Sequence, residues 1–483
     1  MSTRHDDAPP PDAGSAPVPE DLQRENARLR EELRQAERDR ARLRRKIERL
    51  QGQLDAARRA GFRQAAPFSR GTPTRAPRRP GRKAGAAYGR RGCRATPTRV
   101  DERHDAPLPP VCPDCGGALA EPRVAAQTQI DLPPIRPVVR AFAVHIGRCR
   151  QCHRRVRGRH PLQTSDALGA AAVQVGPAVV ALSAHLHVQL GVSFGRIVTL
   201  FRTRFGLTVS RSTLVRALQK TARQAQPTYA ALCATVRGSP VVVPDETGWK
   251  VAARLWWLWV FATPDTTVYA IQPGRGFAEA ATVLGADFAG ILVRDGWAPY
   301  RRFTAATHQT CLAHLLRRAR TLRLDYPRAR FPVQMQAALQ HVLTLRDRSH
   351  QGALSPHGLA VARGRVISRL GGLLEAPGRT PAIQWFAAHL ITEFPAIFSC
   401  LFDPTVDATN WRAEQALRPA VVTRKLGGGG NRTARGAATQ QILATVLRTA
   451  DQRHLDSAAL LAEMLHAPTP TVPPAFTAPA LSR

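Results

Sequence analysis

Acidic side chains are scarce in this sequence. Its 483 residues carry 35 Asp and Glu against 70 Lys and Arg, a formal charge of +35. Such a deficit favours a polyanionic partner, most simply nucleic acid, whose condensed counterions are released when Lys and Arg replace them. Cysteine is sparse as well, with eight residues. That is too few for a disulfide scaffold, and four of them form two C-x-x-C pairs, so metal binding in a reducing compartment is expected. Long apolar runs are missing. The opening "MSTRHDDAPPPDAG" lacks the apolar stretch of a signal peptide. "LWWLWVFAT" falls far short of the roughly 20 residues that cross a bilayer. A soluble, intracellular, cytoplasmic protein is expected, with roughly two to four folded units because the chain is too long for one core.

What is present is a series of segments with different periods. Residues 1–20 are rich in Pro and Asp and read as disordered. Residues 21–57 carry a heptad register, with Leu22, Leu29, Ala36, Leu43, Leu50 and Ala57 at d and Asn26, Leu33, Arg40, Ile47 and Leu54 at a. This predicts a coiled coil and self-association, with Asn26 favouring two strands and Arg40 weakening the seam. Residues 58–105 are laced with Arg, Lys, Gly and Pro and read as a flexible basic arm. Within 106–160, Cys112-x2-Cys115 and Cys149-x2-Cys152 form matched knuckles. Four thiolates in that spacing predict a closed, structural Zn²⁺ site, with His145 and His153 as possible substitutes for one sulfur and strand-like alternation between the pairs.

Residues 166–236 turn helical. "VSFGRIVTLFRTRFGLTVSRSTLVRAL" predicts a helix-turn-helix in which Ile197, Leu200 and Phe201 face inward, Gly206 makes the turn and Ser210 caps the second helix. Arg211, Ser212 and Arg216 on that helix are candidate DNA contacts, with plain helical packing as the alternative.

From Ser239 the composition becomes that of an α/β sheet. "VVVPDETGW", "RLWWLWVFAT" and "TVYAIQP" predict three strands, "GFAEAATVLG" a helix and "GILVRDGW" a fourth strand. The segments 239–310 and 403–465 form the two parts of this core, 311–402 is a helical interruption, and 466–483 is a Pro-rich tail. Pro244 lacks an N–H, so its strand should be an edge or end there.

Two strands close on carboxylates, Asp245 in "VVVPDETGWK" and Asp295 in "ILVRDGWAPY". If they end neighbouring strands, both reach one rim of the sheet. Two such carboxylates repel unless protons or cations lie between them, and hard cations such as Mg²⁺ or Mn²⁺ suit carboxylate oxygen and substrate phosphate. Glu414 in "NWRAEQALRP" is the candidate third ligand, with Asn410 and Arg418 one turn to either side on the same helix face. Glu246 should point away from Asp245. Asp265, Asp287, Asp403 and Asp407 lie in turn-like contexts. Lys250, Arg317, Arg318, Arg418, Arg424 and Lys425 are candidate phosphate contacts. Gly427–Gly430 could admit backbone close to DNA or act as a hinge. Cys311-x2-His314, with His308 nearby, has metal-ligand spacing but no second pair, and reads as packing.

In their order, "DETGWK", "RDGWAPY", "CLAHLLRR", "NWRAEQALRP" and "RKLGGGG" resemble the DDE transposases of the insertion-sequence-66 family. The resemblance spans roughly residues 21–465. It implies a multidomain α plus α/β protein: an N-terminal coiled coil, a zinc-ribbon-like knuckle, a helix-turn-helix region and a ribonuclease-H-like catalytic core with a helical insertion. It also implies that Asp245, Asp295 and Glu414 bind the catalytic metals and that the substrates are transposon ends and target DNA. The glycine run after Arg424-Lys425 stands where that family has an aromatic-containing stretch. A non-catalytic DNA-binding regulator or degenerate copy, or a nuclease on the same core, are the alternatives.

Overall fold

The computed structural model describes residues 24–43 and 97–477, apart from 121–122, 134, 377, 379 and 427–429. The chain divides into two compact units, residues 1–94 and 95–483.

In the first unit, residues 24–43 form one helix, α1, with every residue exposed. Intrahelical ion pairs such as Arg28–Glu25 and Arg38–Glu31 line it. Leu29, Leu33 and Leu43 of the heptad positions stand in solvent. The rest of the expected coiled coil, residues 21–23 and 44–57, and most of the expected basic arm lie outside the described residues.

The second unit opens with an extended, largely exposed stretch. Among the described residues between the knuckles, only β1 (Ile146–Arg148) forms a strand, and it pairs antiparallel with β2 (Arg155–Arg157) around the second knuckle. The residues before it stay exposed, Val124, Ile130 and Val139 among them. Alternation alone did not suffice here, because among the described residues no apolar surface covers these side chains.

Helices α2 (Pro177–Ala184), α3 (Phe194–Phe205), α4 (Arg211–Gln224) and α5 (Gln226–Arg237) follow. Between α3 and α4, Gly206 adopts φ 64°, a left-handed stop that costs a glycine little. The Ser210 hydroxyl then accepts the Thr213 N–H and starts α4. Ile197, Phe201 and Leu214 form a small core between the two helices, while Leu200 is half-buried.

The main sheet has five strands: β3 (Val241–Val251), β4 (Arg254–Ala262), β5 (Thr267–Gln272), β6 (Ile291–Arg294) and β7 (Thr307–Thr310). Their spatial order is β5-β4-β3-β6-β7. β3, β4 and β5 run antiparallel as a meander, whereas β6 and β7 run parallel to β3. Helix α6 (Phe277–Leu284) makes the crossover from β5 to β6.

Period-two alternation builds a core on each face. Val243, Leu258, Val260, Tyr269, Ile271 and Val293 face one cluster. That cluster is closed by α7 (Leu312–Asp325), α8 (Arg330–His350), α9 (Pro356–Glu375), α10 (Pro381–Glu393) and α11 (Trp411–Leu426). Their alternating neighbours Val242, Trp259, Phe261, Val268, Ala270 and Leu292 face the other cluster, closed by α2, α4, α5, α6, α12 (Ala434–Gln452), α13 (Ser457–His466) and α14 (Pro474–Thr477).

β5 is an edge strand, and α12 shields it. The N–H groups of Thr267, Tyr269 and Ile271 donate to side chains of Thr449, Thr445 and Gln441, which lie four residues apart on one helix face.

Pro244 neither ends β3 nor lies on an outer strand, since β3 is central and continues to Val251. The expectation fails in its letter because β3 pairs with β6 only at Val241 and Val242. Beyond them β6 parts from β3, and the next partner on that side is Asn431 at Val251, so at Pro244 no β6 ladder bond is lost.

Candidate active site

β3 and β6 are parallel neighbours, so their C-terminal ends point the same way. Asp295 is the first residue after β6, and Asp245 lies three residues past the last β3–β6 pair. The parting of the two strands leaves both aspartates at that rim. Glu414 enters from the first turn of α11, which packs against β3.

Asp245 senses the charges of both other acids. Asp245 is pushed up to about 7, first by burial and by the charge of Glu246, and further by the charges of Asp295 and Glu414. Among the described residues no three His, Cys, Asp or Glu side chains close into a cage around one point. This holds for the three acids and for the four knuckle cysteines alike.

Each acid has a polar partner. Asp245 Oδ1 accepts the N–H of Glu246 at 2.8 Å, and Oδ2 faces Asn410 Nδ2 at 3.4 Å. Asp295 Oδ1 accepts the Trp297 N–H at 2.9 Å. Glu414, with a side chain 46% exposed, has His314 Nε2 at 3.7 Å from its Oε1.

Glu246 belongs to a different cluster, as alternation requires. Its side chain is fully buried and pairs with Arg275 at 2.8 Å, while Tyr300 donates its hydroxyl at 2.5 Å. Burial pushes the Glu246 carboxyl up, and the Tyr300 hydroxyl and the Arg275 guanidinium pull against that. The Arg275 guanidinium lies over Trp257 and Trp297, 4.6 and 4.0 Å from the ring centres. Trp297 Nε1 donates in turn to the Arg275 carbonyl. Glu246 thus ties the segment after Asp295 to the strand of Asp245.

A second buried pair braces the same segment from behind. Arg294 donates to the Asp295 carbonyl and pairs with Glu393 of α10 at 2.5 Å. Glu393 also pairs with Arg301 and accepts the Thr310 hydroxyl. Gly296 has no room for a side chain, because the His389 ring of α10 occupies the position.

Three of the four lower-ranked aspartates have structural partners. Asp265 accepts the hydroxyls of Thr263 and Thr266, Asp403 holds the Thr405 N–H, and Asp407 pairs with Arg346 and Arg412. Cys311 is buried at the start of α7, while His314, one turn on, reaches Glu414. The Cys-x2-His spacing was the available signal for His314, but without a second pair it read as packing.

Of the candidate phosphate contacts, Arg211, Ser212, Arg216, Lys250, Arg317, Arg318 and Arg418 are exposed. Arg424 instead turns onto β3, donating to the Thr247 hydroxyl at 3.1 Å and to the Gly248 carbonyl. The Lys425 side chain and Gly427–Gly429 lie outside the described residues. Gly430, at φ 125°, presses against the Lys250 backbone. The next residue, Asn431, exchanges backbone hydrogen bonds with Lys250 and Ala252 and accepts the Trp249 indole N–H.

At the knuckles, the Cys112 N–H donates to the Gly117 carbonyl and the Gly116 N–H to that of Cys112. The second knuckle repeats this, with Cys149 to Arg154 and His153 to Cys149. Gly116 and His153 take the same left-handed position, φ 71° and 55°. Backbone N–H groups at Asp114 and Cys115, and at Cys152 and Gln151, lower the Cys112 and Cys149 thiols towards thiolate.

No helix among the described residues is long and apolar enough to cross a membrane. Comparison with curated proteins gives no match. The family described as "Transposase IS66 family" matches residues 172–439, more than half of the chain, from α2 through the sheet and all three acids to α12. The chain belongs to the IS66 family of transposases.

Proposed function

We propose that the chain binds transposon ends, cuts them and joins them to target DNA at a centre built from Asp245, Asp295 and Glu414, on a ribonuclease-H-like core. The observation that carries this reading is that Asp295 and Glu414 both lie near enough to Asp245 for their charges to add to burial and to the charge of Glu246 in pushing it up to about 7. Supporting the core assignment are the strand order β5-β4-β3-β6-β7 and its antiparallel meander followed by two parallel strands.

The donor set fits divalent cations: three carboxylates whose repulsion a cation relieves, beside a buried amide oxygen of Asn410 with no hydrogen-bond partner. Bound Mg²⁺ or Mn²⁺ supplies Lewis acidity to the phosphate and a more nucleophilic water or hydroxyl. The protein's part is placement. The Glu246–Arg275–Tyr300 and Arg294–Glu393 clusters hold the two aspartates in a fixed frame, so little reorganisation accompanies the reaction. In cleavage, water oxygen replaces the 3′ oxygen on phosphorus. In joining, the freed 3′ hydroxyl replaces a 3′ oxygen of the target, so no protein–DNA bond forms. Lys250, Arg317, Arg318 and Arg418 are exposed cations for the phosphates.

The accessory parts fit the same reading. The α3–α4 pair presents Arg211, Ser212 and Arg216 to DNA. The two thiolate-favouring knuckles suit one structural Zn²⁺. The exposed leucines of α1 suit a helical partner from a second copy. The protein would act on chromosomal DNA in the cytoplasm.

The test uses full-length protein, DNA flanking its own gene and a supercoiled plasmid, with and without Mg²⁺. The expected result is Mg²⁺-dependent covalent joining of the flanking end to the plasmid. End binding without chemistry would leave a regulator, and hydrolysis without joining a nuclease.

A further inference from the structure

We infer that Asn410 is a positioning residue of this centre, holding Asp245 for a divalent cation and offering its Oδ1 to water that accompanies the cation. This rests on the carboxylate reading proposed above. Asn410 immediately precedes α11, and its carbonyl accepts the Glu414 N–H at 3.1 Å. An asparagine there ordinarily turns its side-chain oxygen onto an N–H of the first helical turn. Here Oδ1 is buried with no partner, although the residue is 1% exposed. The amide is turned to Asp245 instead, with Nδ2 3.4 Å from Oδ2.

With Asp245 ionised, the state that binds a cation, flipping the amide would set its oxygen against a carboxylate oxygen, two acceptors face to face. The neighbourhood therefore fixes the orientation, and with it the location of the orphan oxygen beside the same carboxylate. A buried acceptor left without a partner calls for a water or ion. One residue thus connects two acids: its backbone begins the helix that carries Glu414 one turn on, and its side chain meets Asp245. The pairing spans 165 residues of sequence. It fixes the separation of strand and helix where the cation must fit.

The test measures Mn²⁺ binding to full-length protein freed of divalent ions, read from loss of the aquo-ion electron paramagnetic resonance signal. Asn410→Ser supplies a hydroxyl able to cap α11 but too short to reach Asp245; Asn410→Ala supplies neither contact. Both variants are expected to weaken Mn²⁺ binding about 10- to 100-fold, the usual range for partners of metal ligands. Both should shift the metal requirement for strand cleavage by the same factor, with KM for DNA unchanged. Asn410→Ser should melt within a few degrees of the parent. Wild-type Mn²⁺ affinity in Asn410→Ser would overturn the inference. Asp295→Asn separates the two levels. If it binds Mn²⁺ like the parent, the carboxylate reading has failed and this inference with it. If it loses the ion while the Asn410 variants keep it, only the role of Asn410 is overturned.

Discussion

His314 on α7 stands with its Nε2 3.7 Å from Oε1 of Glu414 on α11. Its Nδ1 is buried without a partner. The pair bridges a helix that follows β7 and one that begins almost a hundred residues later, close to the proposed cation site. His314→Ala is expected to lower strand cleavage about tenfold, the low end for partners of metal ligands, without changing the melting temperature by more than a few degrees. A single-turnover cleavage rate equal to the parent's would remove His314 from the centre.

Asp245 gives the protein a pH dependence of stability with a definite sign. Its folded-state value is about 7 against an ordinary 3.8. Between those values the folded protein holds a proton that the unfolded chain has released. Stability therefore falls as pH climbs from about 4 to 7 and levels off above. The penalty reaches roughly 4 kcal/mol at pH 8 and stays under about 2 kcal/mol at pH 5. Without divalent ions, Asp245→Asn should melt above the parent at pH 8, and the gap should narrow at pH 5. Denaturation scans at the two pH values check this; a gap independent of pH would contradict it.

Glu393 is predicted to be a structural keystone. It is fully buried and neutralises Arg294, itself 2% exposed, together with Arg301. Glu393→Ala strands a buried guanidinium, which typically costs about 3–5 kcal/mol. Because Arg294 also holds the Asp295 carbonyl, cleavage should fall with stability. Urea unfolding followed by a cleavage assay at a temperature where the variant is folded reads both effects.

The knuckles make a compositional prediction. Purified protein should carry one Zn²⁺ per chain, and Cys112→Ser or Cys149→Ser should lose it, as atomic emission would measure. Absence of zinc from the parent would remove the metal from this region.

Much of the sheet could be read from sequence because its signals are local. The alternation in "RLWWLWVFAT" and "TVYAIQP" sorts side chains to two faces that are both covered. The turn between β3 and β4 could not be read. Ala252 and Ala253 adopt φ 50° and 64°, where Asn-Gly would have announced a hairpin. Asp295 was visible as a strand-terminal acid; Asp245 was visible at the end of an apolar run, but β3 continues past it to Val251, and the partners that frame both acids come from far along the chain. Arg275 reaches Glu246 across 29 residues, and Glu393 reaches Arg294 across 99. No periodicity encodes such pairs. The contacts of Arg424 were hidden for the same reason: a basic residue beside glycines suggests phosphate, and nothing local announced that its guanidinium meets Thr247 and Gly248.

The most direct measurement compares Asp295→Asn with the parent in joining of a pre-cleaved end to plasmid DNA with Mg²⁺, alongside binding of the same end without metal. The account predicts end binding within about twofold of the parent and joining reduced by at least about a thousandfold, the scale of losing a principal group from a phosphoryl-transfer centre. Joining at the parent's rate would contradict it.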